Sequence, residues 1–418
     1  MNSHQIENAI VIGAGLSGLA VAKELRARNI SVTVLEASDQ VAAPWRARHP
    51  RLRLNVHRHF ARLPGHHSIR DNQTFPRRDS VVAYLAEYAD ELDAPIHFET
   101  SVLAVHRKDD IWHLETNKGE YLCAHLIVAT GRERLKAVPV WPGMDDFGGE
   151  LIHAADFSDP GEYDGKNVLV IGAGNSGTDV LNHLSRSNPA QVSVSVRHGP
   201  AILPSRIFGF SLQRLAGLFT RLPKWSLDPI FTTMQRLLLG NLSHYGLRRH
   251  PMGGGSRMLK DGVTFALDDG FIAALKAGRF EAVGETVGFS PDAVELATGR
   301  KIHPDVVICA TGYRADLDDL FGHLGALDSK GYPLHPLGQV DTGNPGLWFT
   351  GYDVTFLGFF HAAGIGAKRI ATNIAAQMPE PAKVRSTHPA SNTANSRPLS
   401  LAGQKNGGAE SLLRTRLR

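Results

Sequence analysis

The chain has 418 residues, 42% of them apolar and 21% charged, which is ordinary for a globular enzyme and long enough for two or three domains. No run approaches the ~18 uninterrupted apolar residues of a membrane span, and the first strand signal starts so early that no room is expected for a signal peptide, so a cytoplasmic location is the default expectation. Two cysteines, Cys123 and Cys309, exclude a disulfide framework and a CxxC redox pair, and the formal net charge is only +4.

The first element is a short buried strand at Ala9–Ile12, followed by Gly13-Ala14-Gly15-Leu16-Ser17-Gly18 and a helical pattern. In such a fingerprint Gly13 allows the tight turn, Gly15 lets a pyrophosphate approach the backbone, and Gly18 lets helix pack on strand. The helix N-terminus then offers amide donors and partial positive charge to the phosphates. The next strand, Ser31–Leu35, ends in Glu36, whose carboxylate suits ribose hydroxyls and repels a 2′-phosphate. His57, His59, His66 and His67 follow at offsets of two, seven and one. These lack a helix-face HxxxH spacing or a cysteine partner, so the expectation is a solvated basic loop and no metal. The apolar run Leu126–Val128 leads into Ala129-Thr130-Gly131, small residues that let the chain pass close to a dinucleotide.

The plan then repeats. Val168–Ile171 precedes Gly172-Ala173-Gly174-Asn175-Ser176-Gly177, which begins 159 residues after the first fingerprint. Asn175 and Ser176 are expected on the pyrophosphate. Val192–Val196 ends in Arg197, whose guanidinium suits a 2′-phosphate. The alternative is that Glu36 and Arg197 are simply surface residues at strand ends. The second half closes with Val306–Ala310 and Thr311-Gly312. Between them, about 202–245 reads as an apolar helical insert interrupted by Arg206, Arg214, Arg221, Lys224 and Arg236. It is read first as core packing, and second as a wall of a substrate tunnel or a surface in peripheral contact with a membrane. Leu347–Tyr352 reads as a late strand containing Gly351. A helix is expected from near Ala362 to about Met378, with Gly364-Ile365-Gly366 at its start, near the first dinucleotide.

The fold expected is α/β: two nested Rossmann-like dinucleotide-binding domains with parallel sheets, the first of them discontinuous. Residues 1–155 open the first dinucleotide-binding domain, whose acidic strand end suits FAD or NAD; 160–312 form the second, whose basic strand end suits NADPH, with its insert; and 313–378 return to the first. The remaining 379–418 carry seven Lys/Arg and two acids, a net +5 that leaves −1 for the rest. This Pro-, Ser-, Asn- and Gly-rich stretch is expected to be a disordered basic tail, with no nucleic-acid partner.

The segment Phe147-Gly148-Gly149-Glu150-Leu151-Ile152-His153-Ala154-Ala155-Asp156-Phe157 fits FxGxxxHxxx followed by an aromatic. With both fingerprints and both Ala-Thr-Gly ends, residues 6–378 resemble the flavin-containing (class B) monooxygenases, closest to the YUCCA-type indole-3-pyruvate monooxygenases. Leu238-Leu239-Gly240-Asn241 and Tyr245-Gly246-Leu247 look like that subgroup, as does Ala310-Thr311-Gly312-Tyr313-Arg314. Phe157, where Baeyer–Villiger enzymes carry Trp, puts the motif on the flavin-containing monooxygenase side. The resemblance implies FAD at the first fingerprint and NADPH at the second. It implies a C4a-hydroperoxyflavin formed with O2, and a small-molecule substrate: a 2-oxo acid, or a soft N- or S-nucleophile. It places Trp45-Arg46 along FAD and Asn55 near the flavin N5, Asn55 being equally readable as an ordinary loop residue. It gives His153 a role coupling the domains in preference to acid–base catalysis. The competing reading is a flavoprotein reductase without oxygenase activity.

Overall fold

The computed structural model describes residues 6–378; the expected basic tail lies outside them. Two large sheets organise the chain, the first mixed with a parallel core and the second parallel. The first fingerprint strand, Ile6–Ile12, lies between Val32–Leu35 and the long strand Gly119–Val128, parallel to both. The far edge of Gly119–Val128 is shared. Its N-terminal part pairs antiparallel with Ile111–Thr116, while Leu126–Val128 pairs in parallel with the late strand Leu347–Phe349. Ile96–His97 and Val102–Lys108 complete the two margins.

The second sheet is parallel throughout, in the order Phe280–Val283, Gln191–Ser195, Asn167–Ile171, Val306–Cys309 and Glu150–His153. Because side chains alternate along a strand, its two faces need separate cover. Val168 and Val170 face one core with Leu181, Val192 and Ile308, whereas Leu169 and Ile171 face another with Phe289, Val294 and Val307. The first core includes the fingerprint helix Asn175–Leu184. The second is closed by the antiparallel strands Thr286–Ser290, Ala293–Leu296 and Lys301–Ile302. Burial on both faces explains why these strands read as continuous apolar runs rather than alternating ones.

Three expectations need revision. Strand Glu150–His153, placed in the first domain by a boundary at 155, hydrogen-bonds into the second sheet, with His153 opposite Cys309. The insert opens as a strand, not a helix: Ile202–Pro204 pairs in parallel with Ala266–Asp268, so the excursion runs to about 268. Between these strands lie helices Ala216–Phe219, Lys224–Leu239 and Gly254–Asp261. The late helix starts at Gly358, not near Ala362, and runs to Gln377. Gly366 is therefore inside it, packed so tightly that an added Cβ would stand 2.6 Å from the Thr350 hydroxyl. The aromatic pair Phe359-Phe360 is what hid the earlier start, since Phe360 is buried within the helix rather than before it.

Candidate functional site

The two fingerprints form near-identical loops. Gly13 has φ +105° and donates to the Leu35 carbonyl at 2.8 Å; Gly172 has φ +98° and donates to the Ser195 carbonyl at 2.9 Å. A Cβ on either would press on the chain that closes its half, 2.8 Å from the Ala129 oxygen or 2.6 Å from the Ala310 oxygen. A Cβ on Gly18 or Gly177 would overlap the carbonyl oxygen of Gly13 or Gly172. Gly15 and Gly174 differ, because a Cβ there meets nothing within 4 Å. Each N-caps its helix in extended conformation without a side-chain cap. The orphan amides of both helix ends thus face open space across a residue with no side chain, which is the arrangement a pyrophosphate requires. The loops fit a dinucleotide each.

What surrounds the loops is unequal. Glu36 accepts from the Ala14 amide at 2.7 Å through one oxygen, and from the Ser38 amide and hydroxyl at 2.9 and 2.7 Å through the other. It is thereby tied to the first cradle. The backbone that follows the second strand puts Val196 where Glu36 sits: Glu36 donates to His97 and Val196 to Val283, the carbonyls of the neighbouring strands. Arg197 is one residue later, its side chain 76% exposed and 3.6 Å from Glu285. The second cradle therefore has Val196 in place of a carboxylate, with an exposed cation beside it, ion-paired to Glu285.

The remaining candidates lie around these loops. Thr130 shares a 2.8 Å hydrogen bond with the buried Tyr352 hydroxyl. Gly131, Gly312 and Gly351 all have φ between +85° and +88°. A Cβ on Gly351 would stand 2.8 Å from the Ser17 hydroxyl, so the late strand passes directly over the first cradle. Trp45 and Arg46 occupy the short helix Ala43–Arg46, with Arg46 donating to the Val41 carbonyl at 3.3 Å. Thr311 donates to the Ala137 carbonyl. Asn175 donates to the Thr264 hydroxyl, and Ser176 follows it in the first turn of the helix.

His153 is 4% exposed, and both ring nitrogens are engaged by backbone. Nδ1 accepts from the Ala155 amide at 3.1 Å, so the proton resides on Nε2, which donates to the Gly312 carbonyl at 3.0 Å. Burial pushes its pKa down, and the nearby Lys136 and Arg48 add to this against the Gly312 bond. A neutral imidazole with no free nitrogen ties the linker strand to the end of Val306–Gly312. It is not placed to exchange protons with a substrate.

Asn55 lines an apolar pocket with Leu203, Phe219, Phe231, Phe265 and Phe356. The rings of Phe219, Phe265 and Phe356 lie 4.8, 4.2 and 5.8 Å from Phe231. This pocket is bordered by residues that adjoin both cradles. Thr264, which holds Asn175, lines it on one side, and the segment after Gly351, Val354–Phe356, lines it on the other. The insert is therefore a pocket wall. It also leaves Phe208, Leu218, Trp225 and Leu237 largely exposed.

Sequence reasoning missed several contacts. Phe157, the aromatic that ends the linker motif, stacks on Tyr163 at 5.1 Å and edges His49 at 5.6 Å. His49 Nε2 lies 2.8 Å from the Asp179 carboxylate, and His183 Nε2 3.8 Å from it. Asp179 and His183 are one helical turn apart, a visible signal, but His49 is 130 residues away and nothing local announces it. Arg48 covers the Tyr313 ring at 3.9 Å and meets Glu133 at 3.1 Å. The four loop histidines separate: His57 and His59 border an open cavity, while His66 and His67 pack on Tyr84 beside Glu87 and Glu91. Cys123 and Cys309 are buried in different sheets, and burial pushes both thiols up, Cys309 to about 12. They offer no dithiol chemistry.

Comparisons with known proteins agree with this geometry. Residues 10–206 match a family model described as pyridine nucleotide-disulphide oxidoreductase. The chain is 33% identical over 395 residues to the probable indole-3-pyruvate monooxygenase YUCCA3 of Arabidopsis thaliana, covering 90% of this chain and 89% of that one. It is 34% identical to the indole-3-pyruvate monooxygenase YUCCA1 of Oryza sativa subsp. japonica, covering 83% and 87%. Among solved structures, a flavin-containing monooxygenase from Stenotrophomonas maltophilia superposes with a TM-score of 0.64 at 23% identity, covering 88% of this chain and 98% of that one. A steroid monooxygenase bound to NADP superposes with a TM-score of 0.68 at 19% identity, covering 89% and 85%. These two show a shared fold.

Proposed function

Because the chain belongs to the flavin-dependent monooxygenases of the YUCCA indole-3-pyruvate type, we propose that it oxidatively decarboxylates an aryl 2-oxo acid such as indole-3-pyruvate with NADPH and O2. The balance is 2-oxo acid, O2, NADPH and a proton giving the acid one carbon shorter, CO2, NADP⁺ and water. When bound, FAD supplies the redox and oxygen-activating chemistry.

The chain's own residues bind, orient and exclude water. Gly15 and the amides of the helix Leu16–Arg26 receive the FAD pyrophosphate, and Glu36 its ribose hydroxyls. Gly174 and the amides at Asn175 and Ser176 receive that of NADPH, with the exposed Arg197 taking the 2′-phosphate in exchange for its solvent-facing pairing with Glu285. The side chain of Val196 has no charge to repel that phosphate. Thr130, Gly131, Thr311, Gly312 and Gly351 let the strand ends approach the two cofactors. Asn55 presents its amide where the substrate pocket meets the first domain. His153 is a positioning residue that holds the Thr311-Gly312 turn. We divide the chain as FAD-binding to about 149, NADPH-binding from the linker strand to 312, and FAD-binding again from 313, and we place the enzyme in the cytoplasm. No helix of the described residues is long and apolar enough to cross a membrane.

The observation that carries the reading is the aromatic pocket that contains Asn55 and is lined by Thr264, the hydrogen-bond partner of Asn175, and by the segment that follows Gly351. Such a pocket dries the reacting centre, as an oxygenase needs and an electron-transfer protein does not. The test is product stoichiometry with indole-3-pyruvate and with phenylpyruvate. About one acid formed per NADPH consumed is expected. Hydrogen peroxide in place of acid would establish the reductase reading instead, and oxygenation of amines or sulfides alone would move the substrate class.

A further inference from the structure

None of the insert's cations lines the apolar pocket, although an acid substrate carries a carboxylate. The cation is next door. A second cavity of about 590 Å³ opens between residues 57–74 and 209–214, and the two cavities share a wall. Asn55 and Val56 face the apolar side and His57 and Arg58 the other; Leu212 and Gln213 face the apolar side and Ser211 and Arg214 the other. The His57 amide donates to the Gln213 side chain and joins the two halves of this wall.

The cavity is built for negative charge. Among the described residues Arg58 and Arg214 have no ion-pair partner. Arg58 donates to the Asp71 backbone carbonyl at 3.1 Å, and Arg214 lies 5.7 Å from the centre of the Phe210 ring. Arg70 is shared with Glu87 at 3.4 Å. The one carboxylate in the lining, Asp71, is consumed. Burial raises its pKa, but hydrogen bonds from the Arg77 and Gln73 amides and the Ser80 hydroxyl outweigh this and hold it at about 2. Its side chain is fully buried. Ser211 is 3% exposed, and its hydroxyl has no hydrogen-bond partner. An unsatisfied buried hydroxyl costs stability unless a ligand completes it. The local field is also recorded in His57, whose pKa is lowered first by burial and then by Arg214, His59 and Arg58.

We propose that this cavity is a carboxylate-binding vestibule, in which Arg58, Arg214 and the Ser211 hydroxyl receive an organic acid beside the aromatic pocket. The proposal rests on the functional reading for the identity of the acid, not for its charge. It makes Arg214 and Arg58 specificity determinants for charge, separate from the aromatic residues that select shape.

The test titrates the full-length, flavin-loaded chain calorimetrically with indole-3-acetate, its neutral analogue indole-3-acetamide, and inorganic phosphate. In the Arg58→Gln/Arg214→Gln double variant the acetate is expected to bind about tenfold or more weakly, as for loss of charge-assisted contacts. The acetamide is expected to bind native and variant alike, and excess phosphate to leave acetate in place. Ser211→Ala, which removes one hydroxyl, gives a severalfold loss, and Arg214→Lys, which keeps the charge, loses less than Arg214→Gln. Kinetically, KM for the 2-oxo acid rises while kcat is kept. Unchanged acetate affinity, equal loss for the amide, or displacement by phosphate would overturn the vestibule. If 2-oxo acids turn over normally and KM is unmoved, the vestibule fails and the function stands. If no 2-oxo acid turns over but charge-dependent binding persists, the function fails and the vestibule stands.

Discussion

Gly15 and Gly18 are three residues apart in one loop, yet alanine at each should do opposite things. A Cβ on Gly18 would overlap the Gly13 carbonyl oxygen and stand 3.1 Å from its carbon and 3.2 Å from the Val11 side chain. Neither neighbour can retreat freely, since Gly13 is held to Leu35 at 2.8 Å and Val11 is fully buried. Overpacking of this kind costs about 1–3 kcal/mol, and with backbone as the obstacle the upper end is expected, a fall in Tm of roughly 4 °C for a unit of this size. A Cβ on Gly15 meets nothing within 4 Å, at φ −83°, which any residue adopts. The flavin-free Gly15→Ala protein should therefore melt at the native temperature or slightly above, since alanine restricts the unfolded chain by ~0.4–1 kcal/mol. Its Cβ nevertheless occupies the space through which a pyrophosphate reaches the loop amides, and each such contact is worth about 1.5–3 kcal/mol. FAD affinity should fall at least 10- to 100-fold. Gly174→Ala should spare FAD and weaken NADPH by a similar factor, because it repeats the geometry in the second cradle. Differential scanning calorimetry of apoprotein, flavin content after purification, and NADPH titration report the three quantities. The reasoning is refuted if Gly15→Ala apoprotein melts as low as Gly18→Ala, or if Gly174→Ala is the variant that loses FAD.

Arg197→Ala should raise the KM for NADPH about tenfold or more while leaving NADH little changed, because only the 2′-phosphate contact is lost; equal losses would remove Arg197 from that role. His153→Ala takes one of two donors from the Gly312 carbonyl, which keeps the Ala137 amide, and leaves the buried Ala155 amide without its acceptor, so it should lower stability by about 1–3 kcal/mol. It should reduce kcat without altering the shape of the pH–rate profile, and disappearance of a limb would show proton transfer instead. Burial lowers the pKa values of His57, His125, His153, His183 and His361. The unfolded chain therefore binds more protons than the native one between those lowered values and the ordinary ~6.5. Stability is full above that value and declines as pH falls below it. Urea midpoints at neutral and mildly acidic pH should show the drop, and a higher midpoint in acid would contradict it.

Much of this was legible in the residue order because it depends on local backbone chemistry. A turn at φ near +100°, a backbone approach without Cβ and a strand buried on both faces each demand a residue type at a fixed offset. The two glycine loops, Glu36 and the paired Ala-Thr-Gly ends announce themselves in that way. The linker motif was visible, but its partner was not. That His153 spends both nitrogens on Ala155 and Gly312 follows from register across 159 residues, which no local pattern encodes. The early start of the last helix was obscured because Phe359-Phe360 suits a strand as well as a helix; in the fold it opens at Gly358, at φ +82° and so close to Val56 that a Cβ would overlap that side chain.

The sequence by itself determined that two dinucleotide loops exist and that they differ in charge, since both follow from short-range geometry and residue chemistry. Only the tertiary structure decided what lies between them. The pocket takes Asn55 from one half, phenylalanines from an insert in the other and the 354–356 segment from the return. The same folding turns Arg214 away from that pocket into a neighbouring cavity. Which way a side chain faces at such a junction is set by the packing of elements far apart in the chain.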